Sequence, residues 1–383
     1  MAVMMAFMLT MVAFAVDVGF MHCAKADLQR SADAAAIAAC WELRKAPSSL
    51  SSNITSTEVT SARTQAVSYA GLNKVLNATT AINSNSSNST SGDVVVGYMS
   101  NPSSPSCTMD TSQLSKDNAV QVTVRRSSAE NGTVPLFFAK VLGHSSETMS
   151  ATATAAILSN FNSFKMPSDG SDLGILPFAL DKYTWDQLLA GTQVSGPDGG
   201  TGYDSWSYDT NGGTVTSGSD GVREVNLYPH KSINSTAPGN RGTVDIGSSG
   251  NSTADIKRQI LHGVSQSDLN AIGGTITIDP TTGYLALNGD TGISAGVKAD
   301  LLSIKGKPRI IPIYSPAPTG SGNNAVYDIV EFVGVRIVDV KLTGKMNAKH
   351  VTIQPADVST LGGTSNGGTI TSQFIYSPVW LVR

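Results

Sequence analysis

The sequence predicts an α+β protein: a long N-terminal helix, then a small α+β domain, then a larger β-rich domain. Three observations predict it. Residues 1–46 contain no proline, and Gly19 is their only glycine, amid strong helix formers. From residue 93 the apolar pattern changes to period two. Beyond 165, Val/Ile-rich runs are separated by Gly, Ser, Thr and Asn clusters that read as turns. The chain has 383 residues, enough for an anchor and two domains.

The helix is the most distinctive element. Residues 1–16, MAVMMAFMLTMVAFAV, are almost wholly apolar, and Asp17 is the first charge. Alanine then recurs at 24, 26, 32, 34, 35, 36, 38 and 39. A helix over 1–46, ending before Pro47, would be roughly 68 Å long at about 1.5 Å per residue. A spanning helix needs about 20 apolar residues, and residues 1–21 supply that with one carboxylate. The segment therefore reads as a membrane anchor. A cleaved secretory signal fits less well, since no basic stretch precedes the apolar run. Asp17 either marks the water boundary or pairs with Lys25, or with an N-terminal amine, of a neighbouring helix. Lys25, Arg30, Arg44 and Lys45 all follow the apolar run. Positive charge favours the cytoplasmic side, and a basic leader would reverse that orientation.

After a polar joint at 48–57, residues 58–76 read as a second helix. It is expected to fold back on the first against the small face of Ala32, Ala35, Ala36 and Ala39. An Asn/Ser-rich loop follows. Strands are expected at 94–99, at 119–127 with Val120, Val122 and Val124 on one face, and at 150–158. VPLFFAKVLG at 134–143 fits either a strand or a short helix. These elements make a small α+β domain over 58–160.

The β-rich domain is expected over 165–383. Leu176, Phe178, Trp185 and Leu188 are core candidates, with a helix at 183–190 and another at 252–261 capped by Ser252 or Thr253. Residues 191–221 form a Gly-rich excursion. TITID and YLALN read as a strand pair across PTTG. The apolar run 326–342 is long for one strand, so a bend is expected near Gly334. The apolar tail ITSQFIYSPVWLVR is expected to pair within this domain's sheet.

Charged residues are only 14% and the net charge is −3, so nothing draws nucleic acid to the surface. Three cysteines are too few for a disulfide scaffold. Cys23 and Cys40 are about 25 Å apart on a helix. Cys40–Cys107 is the feasible bond, and two buried thiols are the alternative. The five histidines are scattered, and no H-E-x-x-H, C-x-x-C, G-x-S-x-G or P-loop occurs. GDTGIS at 289–294 has no second copy, as paired-carboxylate proteolysis would require. Aspartates in Gly-rich loops lack the rest of a calcium-binding pattern. No catalytic group, metal site or cofactor is expected. Seven N-x-[ST] sequons mark exposed loops.

Two boxes carry a resemblance. Ala15, Val16, Asp17, Val18 and Gly19 form the first; Leu28, Gln29, Ala32, Asp33, Ala34, Ala35 and Ala36 form the second. At this spacing the N-terminal region resembles TadG-like proteins of the tight-adherence (Flp) pilus system. NAVQVTVRR, VPLFFAKVLG and MSATATAAI follow in the family's order. The resemblance implies a non-enzymatic protein of the cell envelope that meets other pilus components or copies of itself. Many members carry a von Willebrand A metal motif, D-x-S-x-S. Asp110, Asp169 and Asp245 each miss one serine of it, so no such site is expected.

Two functions follow. One is a structural subunit or assembly component, with a pilin-like helix that sits in the membrane through residues 1–21 and then packs against neighbours through Asp17, Lys25, Leu28, Ala32, Ala35, Ala36 and Ala39. The other is an envelope-tethered adhesin, whose Tyr203, Trp206 and Tyr208 stack on surface glycans.

Overall fold

The computed structural model describes residues 2–44, 54–192, 202–228, 242–247, 252–291, 293–315, 319–320, 324–344, 349–365 and 372–382. Residues 48–53 of the joint, 193–201 of the excursion, His230 and the sequons at Asn53, Asn234 and Asn251 lie outside them. The fold class is α+β, as expected. The described residues form two compact units, one from 2–44, 54–157 and 379–382 and the other from those between 158 and 378. The first helix and the segment 58–157 therefore belong to one body.

In the first unit, α1 (Ala2–Trp41) is one continuous helix. It stops before the expected end near residue 46. Arg44 folds back, its guanidinium 3.9 Å from the Trp41 ring centroid. Its Nε donates to the Trp41 carbonyl, one of the acceptors a helix end leaves open. The second helix, α2 (Ser56–Leu72), begins at a Thr55 cap: the Thr55 amide donates to Glu58, and the Thr57 amide donates to Thr55. Both helices pack on each other and on an antiparallel sheet. Its strands are β1 (Val94–Gly97), β2 (Ala119–Arg126), β3 (Met149–Ala156) and a tail strand, Trp380–Leu381, in that order.

Period two decides which face is buried. Val120, Val122 and Val124 of β2 and Ala151, Ala153 and Ala155 of β3 are fully or almost fully buried. Thr123 and Thr152 hydrogen-bond each other, Oγ1 to Oγ1, on the other face. Alanines on β3 and on α1 remove the bulk that would otherwise hold helix and sheet apart. The Asn/Ser loop is ordered around buried Arg63, which donates to the carbonyls of Ser84, Asn85 and Val94. The C-terminal tail divides: Ser372–Gln373 and Ile375–Tyr376 pair within the second unit, while Trp380 and Leu381 pair with Ala156 and Ala155 along the open edge of β3. Trp380 and Val382 thereby cover Met99, Ala119 and Ala156.

The second unit is built on β4 (Phe178–Asp181), β5 (Val225–Tyr228), β6 (Gly242–Val244), β7 (Leu285–Thr291), β8 (Pro308–Tyr314), β9 (Ala325–Lys341) and β10 (His350–Pro355). Their order is β5-β10-β9-β7-β6-β4-β8, and β8 pairs again with β9. Strands β9, β7, β6, β4 and β8 thus close on themselves. Ile329 sits at the closure, opposite Leu285 on one side and Tyr314 on the other. Closure removes the free edges of these five strands. One apolar cluster holds Phe178, Trp185, Val333 and Phe374, and a second holds Phe161, Phe164, Tyr327 and Phe332.

Three expectations change here. TITID and YLALN do not pair: Ile276–Thr277 joins Phe164 and Ser163, while β7 lies between β9 and β6. Longer neighbours with apolar faces claim both edges. The run 326–342 is one strand through Gly334, and its register slips at Ile329–Glu331 and at Ile337–Asp339. Within the excursion, Trp206–Asp209 and Thr214–Ser217 form a hairpin. The helix at Lys182–Leu189 matches expectation, capped by Asp181 accepting the Thr184 amide at 2.8 Å. So does Thr253–His262 with its Ser252 cap.

Candidate functional site

The site lies where α1 leaves the first unit. From Ala24 onward, one face of the helix is locked into its own unit: Leu28, Ala32, Ala35, Ala36, Ala39 and Cys40 have no solvent exposure. The sequence assigns Leu28 and these four alanines to contacts with neighbours, and the alanines also to the second helix. The structure turns them inward, because α2 and β3 present alanines at matching height, including Ala62, Ala66 and Ala70. Ser31 adds a hydrogen bond from Oγ to the Ala70 carbonyl.

Toward the N-terminus the helix is bare. Met4, Met5, Met8, Met11, Val12, Phe14 and Val16 are all exposed, with Phe14 at 69%. Soluble proteins seldom leave such a continuous apolar surface uncovered, and where they do it marks an interaction site. Methionine, flexible and polarizable, adapts to varied partners. Among the described residues, no helix is long and apolar enough to cross a membrane.

Asp17 stands at the division between these halves. It is 4% exposed. Its Oδ1 accepts the Phe137 amide at 2.8 Å, and its Oδ2 accepts the amides of Phe138 at 3.0 Å and Ala139 at 2.6 Å. Asp17 therefore neither faces open water nor awaits a neighbour's charge. Lys25, its expected partner, donates to the Ser150 carbonyl of its own unit. A carboxylate has about four acceptor directions, and the 137–139 backbone uses most of them.

Asp17→Asn removes the charge and one acceptor oxygen. The Phe137, Phe138 and Ala139 amides are expected to exchange hydrogen severalfold faster in this variant at neutral pH. Unaltered exchange of these amides would refute the clamp.

Elsewhere, the expected binding groups are occupied within their own units. Cys23, Cys40 and Cys107 are free thiols, so the Cys40–Cys107 bond is not formed. Cys40 is buried with Sγ 3.7 Å from the Asn118 carbonyl, and burial pushes its thiol pKa far up. Cys107 instead lies beside Ser100. Of the ligand-contact trio, Trp206 has Lys305 over its ring at 4.6 Å, and Tyr208 has Arg336 at 3.5 Å. Tyr203 bridges to Glu224. These aromatics are half-buried and hold the excursion down. Among the described residues, no group of three or more His, Cys, Asp or Glu could hold a metal.

The clamp was hidden from sequence reasoning. The apolar decapeptide 134–143 was visible as a segment, but nothing local shows that its amides end on a carboxylate some 120 residues earlier. Two family models match the chain. Residues 1–42 match the Tad model, Flp pilus-assembly TadE/G-like, and residues 23–155 match Tad_C, Tad-like Flp pilus-assembly. No curated protein and no solved structure matches it.

Proposed function

We propose, from the premise that this is a Tad-like protein of the Flp pilus system and of the cell envelope, that it is a non-enzymatic component of the pilus or of its assembly apparatus and works through the bare half of α1. One observation carries this reading: the helix is divided at Asp17 into a half sealed within its unit and a half whose apolar side chains face outward. Covering a large apolar side chain is worth about 1.5–3 kcal/mol. The exposed set would thus drive insertion into a membrane, and later packing against a second copy or another pilus component. Residues 1–21 serve as the anchor before assembly.

Phe14→Asp tests it. A charge within a membrane-inserted helix costs about 2.5–3.5 kcal/mol at the centre and less toward an interface. Retention in the membrane fraction, and recovery with pili, should fall about tenfold. The melting of the first unit should not change, since Phe14 touches water and not the core. Fractionation like the parent would refute the reading. The adhesin alternative has less support, because cations already cover the rings of Trp206 and Tyr208.

A further inference from the structure

A second apolar surface flanks the root of the bare helix. Residues 134–147 form a hairpin: Val134 and Pro135 pair with Glu147 and Ser146, and the Leu136 amide donates to the Ser145 carbonyl. Its tip is a single tight turn, Ala139–Leu142, in which no residue is buried. Gly143, with φ of 90°, supplies the left-handed step that returns the chain. Phe137, Phe138, Val141 and Leu142 are all exposed, Val141 at 87%. Large aliphatic side chains on a convex tip are costly in water and fill no groove of their own unit.

This tip is tied to the helix at two points. Asp17 holds the Phe137–Ala139 amides. The Phe20 and Phe137 rings meet edge to face at 5.0 Å. The apolar tip and the bare half of α1 are therefore one continuous apolar surface. Around it stand exposed Lys140 and His144 on the hairpin and His22 and Lys25 on the adjoining turns of α1, with exposed Glu147 and the buried, amide-bound Asp17 as the acids. Aromatic and aliphatic side chains ringed by lysine suit the boundary between acyl chains and anionic headgroups.

We infer that the 137–142 tip is a membrane-interface wedge, which enters an anionic lipid surface beside the point where α1 enters it. The inference rests on the proposed role of α1 and adds a second, separately removable contact. The Asp17 clamp sets the depth of the wedge relative to the helix.

The experiment uses the full chain and vesicles of phosphatidylcholine mixed with phosphatidylglycerol. Phe137, Phe138, Val141 and Leu142 are changed together to serine, which leaves the backbone amides for Asp17 intact. The bound-to-free ratio in flotation should fall about tenfold, with circular dichroism unchanged. Separately, the fluorescence added by Val141→Trp should be quenched by lipids brominated near the headgroup. If the serine variant floats like the parent and the added tryptophan is not quenched, the wedge is wrong. A serine variant that still floats but no longer self-associates without lipid also overturns it, in favour of a second copy as occupant. Phe14→Asp separates the two claims: if it abolishes flotation while the serine variant floats normally, the helix reading stands and the wedge fails. If Phe14→Asp floats normally while the serine variant does not, the wedge stands and the helix reading fails.

Discussion

Gly334→Ala is expected to cost the second unit about 4 kcal/mol or more, enough to unfold many single domains. A β-carbon at Gly334 would lie 2.3 Å from the Phe374 carbonyl oxygen and 2.4 Å from that of Ala356. Both obstacles are backbone atoms: the Phe374 carbonyl already accepts the Val358 amide, and Ala356 is held in place by its own amide donating to the Gly334 carbonyl. No rotamer change relieves the clash, so a strand must move within a closed set of strands. Neighbouring Phe332, Val333 and Val335 are fully buried and would be displaced with it. Denaturant unfolding, with hydrogen exchange of the Val333 and Val335 amides as the local report, checks this. A midpoint within error of the parent would show that the approach is looser than described.

Ala36→Leu carries the second large effect, a loss of about 3 kcal/mol from the first unit. Ala36 has no exposure and lies in the alanine face between α1, α2 and the sheet. The added carbons have nowhere to go unless the helix lifts. That movement would also expose Leu28 and Leu43, now buried. Ile37→Ala is the control one residue away. Ile37 is 40% exposed, so its truncation should change stability by only about 0.5 kcal/mol. Thermal unfolding of both variants decides the matter. Equal melting temperatures would mean that the small face does not clamp the helix to its unit.

These two positions show what a pattern in the chain can and cannot reveal. Ala36 is legible, because small residues recurring at helical spacing announce a close-packed face. The same pattern is silent on the partner. It suits a neighbouring subunit as well as α2 and β3, and the latter were already in the same chain. Gly334 is half legible. A glycine within a Val/Ile-rich run signals something unusual in the backbone, but bend and close approach look alike until the neighbouring carbonyls are located. Trp206 and Tyr208 follow the same rule: aromatics in a Gly-rich stretch announce a contact, and only Lys305 and Arg336 say with what.

The sequence by itself determined the long helix, its change of character at Asp17, the alternating strands and the Tad-like boxes. These are written in composition and in spacings of two to four residues, which local backbone geometry reads directly. Tertiary structure alone decided that Asp17 clamps the amides of 137–139, that the tail crosses back to β3, that β8 returns to β9, and that the cysteines stay apart. The first two depend on surfaces that meet after more than a hundred intervening residues. Many edges and faces of similar polarity compete for each place, and burial of the whole set, not any one residue's preference, selects among them.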